Sequence, residues 1–405
     1  MRTRGFLLAL LILSILLTYG SGFYATAYMV SVITVALVLA FVWSRLNIRW
    51  LSVAVTRPKQ QVQVGDVYQE EVIITNRSKL PVAWVTVEDL GNLPGHALGR
   101  ALGVGAETFR SWRSETRCAQ RGLFTLGPVR LSSSDPLGIF TTRKTIGGSE
   151  NILVYPATRP IPGFTVSTAE HMGESESFVG TQAITANVSG VRQYELGDSL
   201  NKVHWKSTAK HGKLMVKEFD VERQGSVWVL LDLQKDVQEG EGAESTAEYA
   251  ITAAASVVVN MLAQDVPVGL VMSGDTDSII YPEKGAQQRF QVLEALARVQ
   301  ATGKTPLSSL LARLGRQIGP GNSLVVVSPS PDEVQGVASF VMRRGIPSAA
   351  VVVDQQSFGG RMSGAGLVAN LARIGLSAYL VRKGDDISDA LSYRGTAEAM
   401  ALANS

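Results

Sequence analysis

A segment near the middle of the chain concentrates side chains that recognise charged or aromatic groups. It consists of Arg192–Asp198, His204–Lys206, Ala209–Lys210 and Gly212–Phe219, and we call it the basic motif. No serine or cysteine in it stands beside a visible general base, so its chemistry is recognition rather than bond-breaking. Its cations outnumber its carboxylates, which predicts either a structural ion pair or a docking site for an acidic partner.

The pattern after residue 226 predicts the elements that follow this motif. Apolar strands alternate with amphipathic helices, as is typical of a mostly parallel sheet covered on both faces. We predict a doubly wound, Rossmann-like α/β domain over residues 226–405. The predicted strands are Ser226–Asp232, Val266–Ser273, Ser278–Pro282, Ser323–Ser328, Ser348–Asp354 and Ser377–Val381. The predicted helices are Glu244–Gln264, Ala286–Gln300, Leu307–Gln317, Asp332–Arg344 and Leu367–Arg373. In Rossmann-like order the first and fourth strands are neighbours, and ligands bind beyond their carboxyl ends.

The order of residues in the basic motif resembles a known family. The patterns Arg-x-Tyr-x-x-Gly-Asp, His-Trp-Lys-x-x-Ala-Lys and Leu-x-Val-Lys-Glu are similar to the hallmark of the bacterial family called domain of unknown function 58. The residues that carry this resemblance, and that we predict to bind a partner, are Arg192, Tyr194, Gly197, Asp198, His204, Trp205, Lys206, Ala209, Lys210 and Lys217. The resemblance implies a membrane-anchored protein with a von Willebrand factor type A-like domain, often encoded beside a MoxR-type AAA ATPase. No settled biochemical activity goes with the family.

The resemblance to a von Willebrand type A domain also implies a metal site. That site uses Asp-x-Ser-x-Ser after the first strand, a Thr that opens a later helix and an Asp after the fourth strand, because hard cations need several oxygen ligands. Here Asp232 keeps the first position, Asp236 stands at one serine position and Thr305 matches the threonine. Pro329 occupies the position of the last aspartate, and Asp332 follows it. We therefore predict a degenerate site that binds magnesium weakly or not at all. The alternative for Asp232 is a cap on the turn that follows its strand.

Composition and local pattern argue against two classes of ligand. A net charge of +3 over 405 residues is small for a dedicated nucleic-acid binder. Gly303-Lys304-Thr305 resembles a phosphate-binding loop, but Arg298 occupies the position of its first glycine and a predicted helix precedes it, so no nucleotide site is predicted. The single cysteine, Cys118, excludes an intrachain disulfide and a cysteine-rich zinc site.

Residues 1–50 carry a membrane signal. Phe6–Tyr19 and Tyr24–Trp43 are uncharged runs, each close to the roughly 17–25 residues that a spanning helix needs. Arginines precede the first run and follow the second, so the positive-inside rule predicts a transmembrane helical hairpin with both flanks in the cytoplasm. The alternative is a cleaved signal peptide, which leaves one span. In both cases the soluble domains lie on the cytoplasmic side of the inner membrane.

The chain between the membrane segment and the α/β domain divides in two. Residues 51–165 contain short β-branched runs separated by turn residues, which predicts an antiparallel β-sandwich. Residues 166–225 are predicted to be a connector and the basic motif. The stretch from about residue 150 to 190 is polar and rich in proline, so we expect it to lack regular structure.

The predicted function is protein interaction by a membrane-anchored cytoplasmic adaptor, with a MoxR-type AAA ATPase as the partner that the resemblance implies. No cofactor is expected for this function. One alternative is a metal-dependent hydrolase that uses Asp232, Asp236 and Asp332. Another is binding of anionic lipid or an envelope component by the basic motif. An enzyme is expected to show a pocket with converging carboxylates, whereas an adaptor is expected to show an exposed shallow surface.

Two expectations concern the packing of the basic motif. Trp205 is large and apolar, so we expect its ring to pack between the motif and the α/β sheet. Arg192 is expected to pair with Asp198 or another nearby carboxylate, which leaves Lys206, Lys210 and Lys213 for a partner or solvent. The alternative is that the whole segment only joins the two soluble domains.

Overall fold

The structure describes most of the chain, which divides into two units. A computed structural model of the chain describes residues 24–58, 61–135, 138–164, 166, 188–194, 203–219, 225–275, 277–315, 317–319 and 321–392, with positions 12, 15 and 16. The predicted apolar run at residues 6–19 lies outside the described residues apart from those three positions. Contacts divide the chain into two units, residues 1–156 and residues 157–405. Each unit is described by itself below.

Helix α1 spans Tyr24–Arg49 and is the part of the first unit that suggests membrane association. Its side chains are mostly exposed and apolar up to Ala40, where burial against the β-domain begins. Among the described residues, two helical segments are long and apolar enough to cross a membrane, Tyr28–Arg49 and Thr246–Ala263. The second is mostly buried on the sheet of the other unit, so α1 is the better candidate.

In the described part of the first unit, ten strands follow α1 and form three sheets. They are β1 (Leu51–Thr56), β2 (Val62–Gln63), β3 (Val67–Asn76), β4 (Val82–Asp89), β5 (Arg100–Val104), β6 (Phe109–Arg117), β7 (Gly122–Leu126), β8 (Val129–Ser134), β9 (Thr141–Ile146) and β10 (Glu150–Tyr155). The strand orders are β1-β3-β6, β5-β4-β8-β9 and β2-β10-β7. The pairings are antiparallel except that of β2 with β10. Alternating valine, isoleucine and leucine side chains of the first two sheets share one core, which explains why the period-2 pattern predicted antiparallel strands.

A buried ion network lies inside this β-domain. Arg57 Nη2 lies 2.8 Å from Asp89 Oδ2, and its Nε lies 3.2 Å from Glu70 Oε2. The ring of His96 is buried beside them, with Nε2 3.1 Å from Glu70 Oε1 and Nδ1 2.9 Å from Thr116 Oγ1. These side chains come from strands and loops far apart in sequence, so their pairing fixes how the strands meet. Each of them, taken alone, resembles an ordinary surface polar residue in the sequence.

The pKa values of two carboxyl groups in this network are shifted in opposite directions. Burial raises the pKa of Glu70 above its usual value, because its attraction to His96 and Arg57 does not offset the lost hydration. Burial also acts to raise the pKa of Asp89. The interaction with His96, whose Nε2 lies 3.7 Å from Asp89 Oδ2, and hydrogen bonds from the backbone N–H groups of Gly91 and Gly127 outweigh it, so the net pKa of Asp89 is lowered. The surroundings of Asp89 therefore favour its charged form, whereas those of Glu70 disfavour it.

We predict that Asp89→Asn destabilises the full chain by about 3–5 kcal/mol at neutral pH, because it leaves a buried arginine without one of its partners. The folded-state pKa of Asp89 is lowered, so its contribution is present above the ordinary value of 3.8 and is lost as pH falls further. The difference between wild type and variant should therefore shrink below that pH. Denaturant unfolding in detergent across a pH series measures it.

The matched control for this prediction is Glu88→Gln, one residue earlier on the same strand and exposed. Its expected effect is about half a kcal/mol or less. A loss of stability that is equal in the two variants, or that does not change with pH, would contradict the role given to Asp89.

The second unit begins with a segment that the sequence predicted to be a connector. Arg159 N donates a hydrogen bond to Ser256 Oγ at 2.9 Å, and the Ser388 hydroxyl donates to the carbonyl of Pro160 at 2.5 Å. The ring of Phe164 stacks on Tyr379 with centroids 4.9 Å apart. Prolines prevent a helix here, but side chains of the α/β domain satisfy the backbone and buried apolar groups hold the segment in place.

The basic motif forms a two-stranded ribbon with a short helix between its strands. The elements are β11 (Val188–Gln193), α2 (Trp205–His211) and β12 (Met215–Phe219). Strands β11 and β12 pair antiparallel, and the pairing continues beyond β11 because Tyr194 N donates to Leu214 O at 2.9 Å. The helix has no buried residue, so it lies on the surface of the ribbon.

The remaining elements form the α/β domain. They are β13 (Val227–Asp232), a small ribbon of β14 (Gly240–Glu241) and β15 (Glu244–Ser245), α3 (Thr246–Ala263), β16 (Val268–Ser273), β17 (Asp277–Glu283), α4 (Gly285–Arg298), α5 (Leu307–Leu314), β18 (Ser323–Ser328), α6 (Pro331–Arg344), β19 (Ser348–Val353), α7 (Ala365–Arg373), β20 (Ser377–Val381) and α8 (Ile387–Ala390). Each strand and helix predicted for this region is present.

The sheet order of this domain is β17-β16-β13-β18-β19-β20. Counted along the chain this is 3-2-1-4-5-6, the Rossmann-like order that the sequence predicted. All pairings are parallel except that of β17, which forms a hairpin with β16 at one edge. Every residue of β13, β16 and β19 is buried, which is why these strands are continuous apolar runs without alternation.

Candidate functional site

The carboxyl ends of β13 and β18 meet at the switch point of the sheet. Asp232 closes β13, and its Oδ2 accepts a hydrogen bond of 2.7 Å from the hydroxyl of Ser328, which closes β18. Its Oδ1 accepts from Gln234 N at 3.1 Å. Ser330 N donates in turn to the Ser328 oxygen at 2.9 Å. The neighbouring strand ends are thus joined through one carboxylate and one hydroxyl.

Asp232 is fully buried, and this environment disfavours the charged form of its carboxyl group. Burial raises the pKa of this carboxyl above its usual value. The hydrogen bonds from Ser328 and Gln234 act in the opposite direction but do not cancel the effect, and the negative charge of Glu333 adds to it. A bound cation would lower this pKa, so a cation site at this edge of the sheet would be expected to include the Asp232 carboxyl group.

The loop that contains Thr305 packs over this carboxyl edge. The carbonyl oxygen of Thr305 accepts hydrogen bonds from Gln234 Nε2 at 3.1 Å and from Ser273 Oγ at 2.5 Å. Gly303 allows the approach, since a Cβ at this position would lie 2.4 Å from the backbone oxygen of Ser273. The strand ends and this loop therefore come together, as Rossmann-like order requires.

The predicted metal ligands do not form a cluster around Asp232. Asp236 and Asp332 are exposed, whereas Asp232 is buried. The backbone carbonyl of Thr305 already accepts two hydrogen bonds from protein side chains. Within the described ranges, no group of three or more His, Cys, Asp or Glu side chains is placed to hold a metal ion. Weak magnesium binding stays a prediction.

Glutamine side chains fill part of the edge, and the sequence pattern did not single them out. Gln234 stands where the metal-site pattern has its first serine, and its amide reaches the Thr305 carbonyl. Gln238 Nε2 donates to Asp232 O at 3.2 Å, and Gln355 Nε2 donates to Val237 O at 2.8 Å. Amides carry no titratable signal. Their position just after apolar strands was the available clue.

The expectation that the ring of Trp205 is buried is wrong. This side chain is 69% exposed. It is the first residue of α2, a helix with no buried residue, and Lys206, Ala209 and Lys210 on the same helix are exposed as well. An exposed tryptophan among lysines is typical of an interaction surface rather than a domain joint.

Other motif residues shape the ribbon that presents α2. His204 N donates to Met215 O at 2.8 Å, and His204 Nδ1 lies 2.7 Å from Ser207 Oγ. Arg192 Nη1 donates to the carbonyl of Gln193 at 3.2 Å. Gly197 and Asp198 lie outside the described residues, as does the side chain of Lys217. The pairing of Arg192 with Asp198 stays a prediction.

Comparison with known proteins supports the family resemblance. A family described as "Protein of unknown function DUF58" matches residues 190–330, which contain the basic motif and the chain from β13 to the start of α6. The uncharacterized protein YeaD of Bacillus subtilis (strain 168) is 23% identical over 257 residues. This match covers 62% of the present chain and 63% of the length of that relative. Neither name states an activity.

Similarity to solved structures is weak. The CARDB domain of a Pyrococcus furiosus protein gives a TM-score of 0.19 at 15% identity, covering 26% of this chain and 91% of that chain. A FixG-related protein from Vibrio parahaemolyticus gives a TM-score of 0.18 at 10% identity, covering 26% and 96%. Neither similarity bears on function.

We predict that Asp232→Asn gains stability relative to wild type as pH rises above the ordinary aspartate pKa of 3.8. The folded-state pKa is raised, so the wild-type carboxyl stabilises the fold below its unfolded pKa and loses that contribution as pH rises through the folded value. The amide keeps one oxygen to accept from Gln234 N, and its NH2 group can donate to the Ser328 hydroxyl, which also lies 3.5 Å from the carbonyl oxygen of Ser330. Thermal unfolding at several pH values provides the measurement.

Asp236→Asn serves as the control, because this side chain is exposed in the next loop. It should follow wild type at every pH. A magnesium-dependent rise in melting temperature that wild type shows and Asp232→Asn lacks would contradict this description and favour a metal site.

Proposed function

We propose that this protein is a membrane-anchored adaptor whose basic motif docks a partner protein. The single observation that carries the proposal is the exposure of Trp205 on α2 between the exposed side chains of Lys206 and Lys210. Such a surface offers a large apolar contact surrounded by positive charge. A partner with an apolar pocket bordered by carboxylates would complement it.

The ribbon makes this surface suitable for docking. Strands β11 and β12 hold both ends of the segment, and Thr208 Oγ1 accepts a hydrogen bond from Met215 N at 3.0 Å, which ties α2 to β12. Helix α2 therefore has a fixed direction on the ribbon. A prearranged side chain loses less entropy on binding than one on a free loop, which favours affinity.

The carboxyl edge of the sheet supports an adaptor better than a hydrolase. Asp232 is fully buried and accepts hydrogen bonds from Ser328 and Gln234, while Asp236 and Asp332 are exposed. A hydrolytic metal needs several convergent oxygen ligands and an open coordination position. We infer that this domain is a von Willebrand type A-like domain with a degenerate ligand edge.

The proposed placement is at the inner membrane, with the soluble units in the cytoplasm. The apolar helix α1 and the arginines near its carboxyl end, Arg45 and Arg49, support this orientation. The partner that the family resemblance suggests is a MoxR-type AAA ATPase, which is a cytoplasmic protein and fits the proposed side of the membrane.

We predict that Trp205→Ala weakens partner binding by about 2 kcal/mol or more, which is about 30-fold in affinity. The free energy of unfolding should change by only about half a kcal/mol, because the ring is exposed. The double variant Lys206→Ala/Lys210→Ala should slow association and reduce its salt dependence, because it removes charges whose attraction salt screens. Binding of the purified partner to full-length protein in detergent measures both effects.

The matched control is Lys304→Ala/Lys383→Ala, which removes two exposed lysines outside the motif. It should bind like wild type. If the Trp205 and motif-lysine variants stay folded and recover the partner as well as the control does, docking through this motif fails. Loss of anionic-vesicle binding in these variants, with partner binding intact, would assign the motif to lipid instead.

A further inference from the structure

The junction of helix α1 with the β-domain is rigid. The ring of Phe41 packs edge-on against Phe140 in the β8–β9 loop, with centroids 5.5 Å apart. One turn later, Ser44 Oγ lies 3.2 Å from Thr142 Oγ1 on β9, and Ile48 is part of the apolar core of the domain. The helix therefore does not end in a flexible linker. Its last turns are part of the β-domain.

No polar spacer separates the apolar helix from the β-domain. The first charged residue after the apolar run is Arg45, four residues after Phe41, which already contacts the β-domain. Four helical residues advance only about 6 Å. The surface of the β-domain around Phe140 therefore lies close to the end of the apolar run of α1.

Strand register shows which loops share that position. Ser134 on β8 pairs with Thr141 on β9, and Ser133 pairs with Val85 near the start of β4. On the other sheet, Leu51 pairs with Asn76 at the end of β3. Consequently the β8–β9 loop, the β3–β4 loop and the β5–β6 loop all lie at the end of the β-domain where α1 arrives.

Hydrogen bonds hold two of these loops together. Asn76 Nδ2 donates to Leu80 O at 2.8 Å and to Gly105 O at 2.9 Å. Glu107 N donates to Ser78 O at 2.9 Å. The side chains of these loops are thus presented from a fixed backbone. The exposed side chains of these loops therefore form a surface with a defined arrangement.

This end of the domain exposes large apolar side chains together with cations. Phe109 is 66% exposed and Leu80 is 47% exposed, and Trp50 and Trp84 are exposed beside them. The cations at the same end are Arg49, Arg77, Lys79 and Arg110, and all four are exposed. Among the described residues of the three loops, the exposed carboxylate is that of Glu107. We call this surface the helix-entry face.

We propose that the helix-entry face rests on the surface of a bilayer that contains anionic lipid. This inference depends on the proposed membrane anchor. Tryptophan and phenylalanine rings favour the boundary between acyl chains and headgroups, while arginine and lysine extend toward lipid phosphates. The rigid junction brings both kinds of side chain to that depth. Helix α1 then anchors the β-domain, and contact between the helix-entry face and the lipid fixes the orientation of the domain on the membrane.

Site-specific fluorescent labelling of the full-length chain in lipid nanodiscs tests this inference. Cys118 is fully buried, so introduced thiols are labelled over a low background. The test positions are Leu80→Cys and Phe109→Cys. The matched control is Val67→Cys, which is 51% exposed at the opposite end of β3, about 30 Å away along that strand. Val32→Cys, on the exposed face of α1, reports the anchor itself.

The measured quantity is quenching of each probe by lipid brominated near the headgroup, in discs containing phosphatidylglycerol. We expect quenching at Leu80 and Phe109 at least twofold greater than at Val67, and weaker quenching when phosphatidylcholine replaces the anionic lipid. Deep-chain bromination should quench the Val32 probe.

The outcomes separate the two levels of the proposal. If Val32 is quenched but Leu80 and Phe109 behave like Val67, the anchor stands and the inference about the helix-entry face is overturned. If Val32 is not quenched, the membrane anchor fails, and the inference fails with it. Shielding of Leu80 and Phe109 from water without quenching by lipid would mean that a protein covers the face, which also overturns the inference.

Discussion

The carboxyl edge of the α/β domain is organised around one buried side chain, that of Asp232. Asp232 ends the central strand β13, where the sheet reverses its winding, and it carries its oxygens into a site from which water is excluded. A buried polar group of this kind must find hydrogen-bond donors. It takes them from Ser328 on the neighbouring strand and from Gln234 in its own loop. Strands β13 and β18 are therefore joined by a side-chain hydrogen bond as well as by their backbone hydrogen bonds.

That constraint shapes the edge above the sheet. Gln234 and Gln238 pack over it, Gly303 lets the Thr305 loop approach, and Thr246 Oγ1 donates to Gln238 Oε1 at 2.8 Å. In an open sheet of this order, the same edge is where ligands bind. Here the chain supplies its own hydrogen-bonding partners. Recognition by the basic motif, on a separate ribbon, is consistent with an edge that has become structural.

Much of the fold could be predicted from the sequence, because burial on both faces of a parallel sheet leaves continuous apolar runs. The strands β13 and β18 and the helices around them followed from that pattern, and their adjacency followed from the usual winding. The Arg57, Glu70, Asp89 and His96 network could not be predicted, since its members are distant in sequence and resemble surface residues. Trp205 was misjudged for a different reason. Size and apolarity favour burial, but α2 lies on the surface of the ribbon and has no buried residue.

The central claim is that Trp205 faces a protein partner while the carboxyl edge of the sheet remains a structural joint. Photo-crosslinking in native membranes tests it most directly, with a benzophenone amino acid at position 205 and, for comparison, at Tyr281, an exposed residue on the edge strand β17. We expect a discrete protein adduct from position 205 and none from position 281. Lipid adducts alone at position 205, or the same adducts from both positions, would contradict the claim.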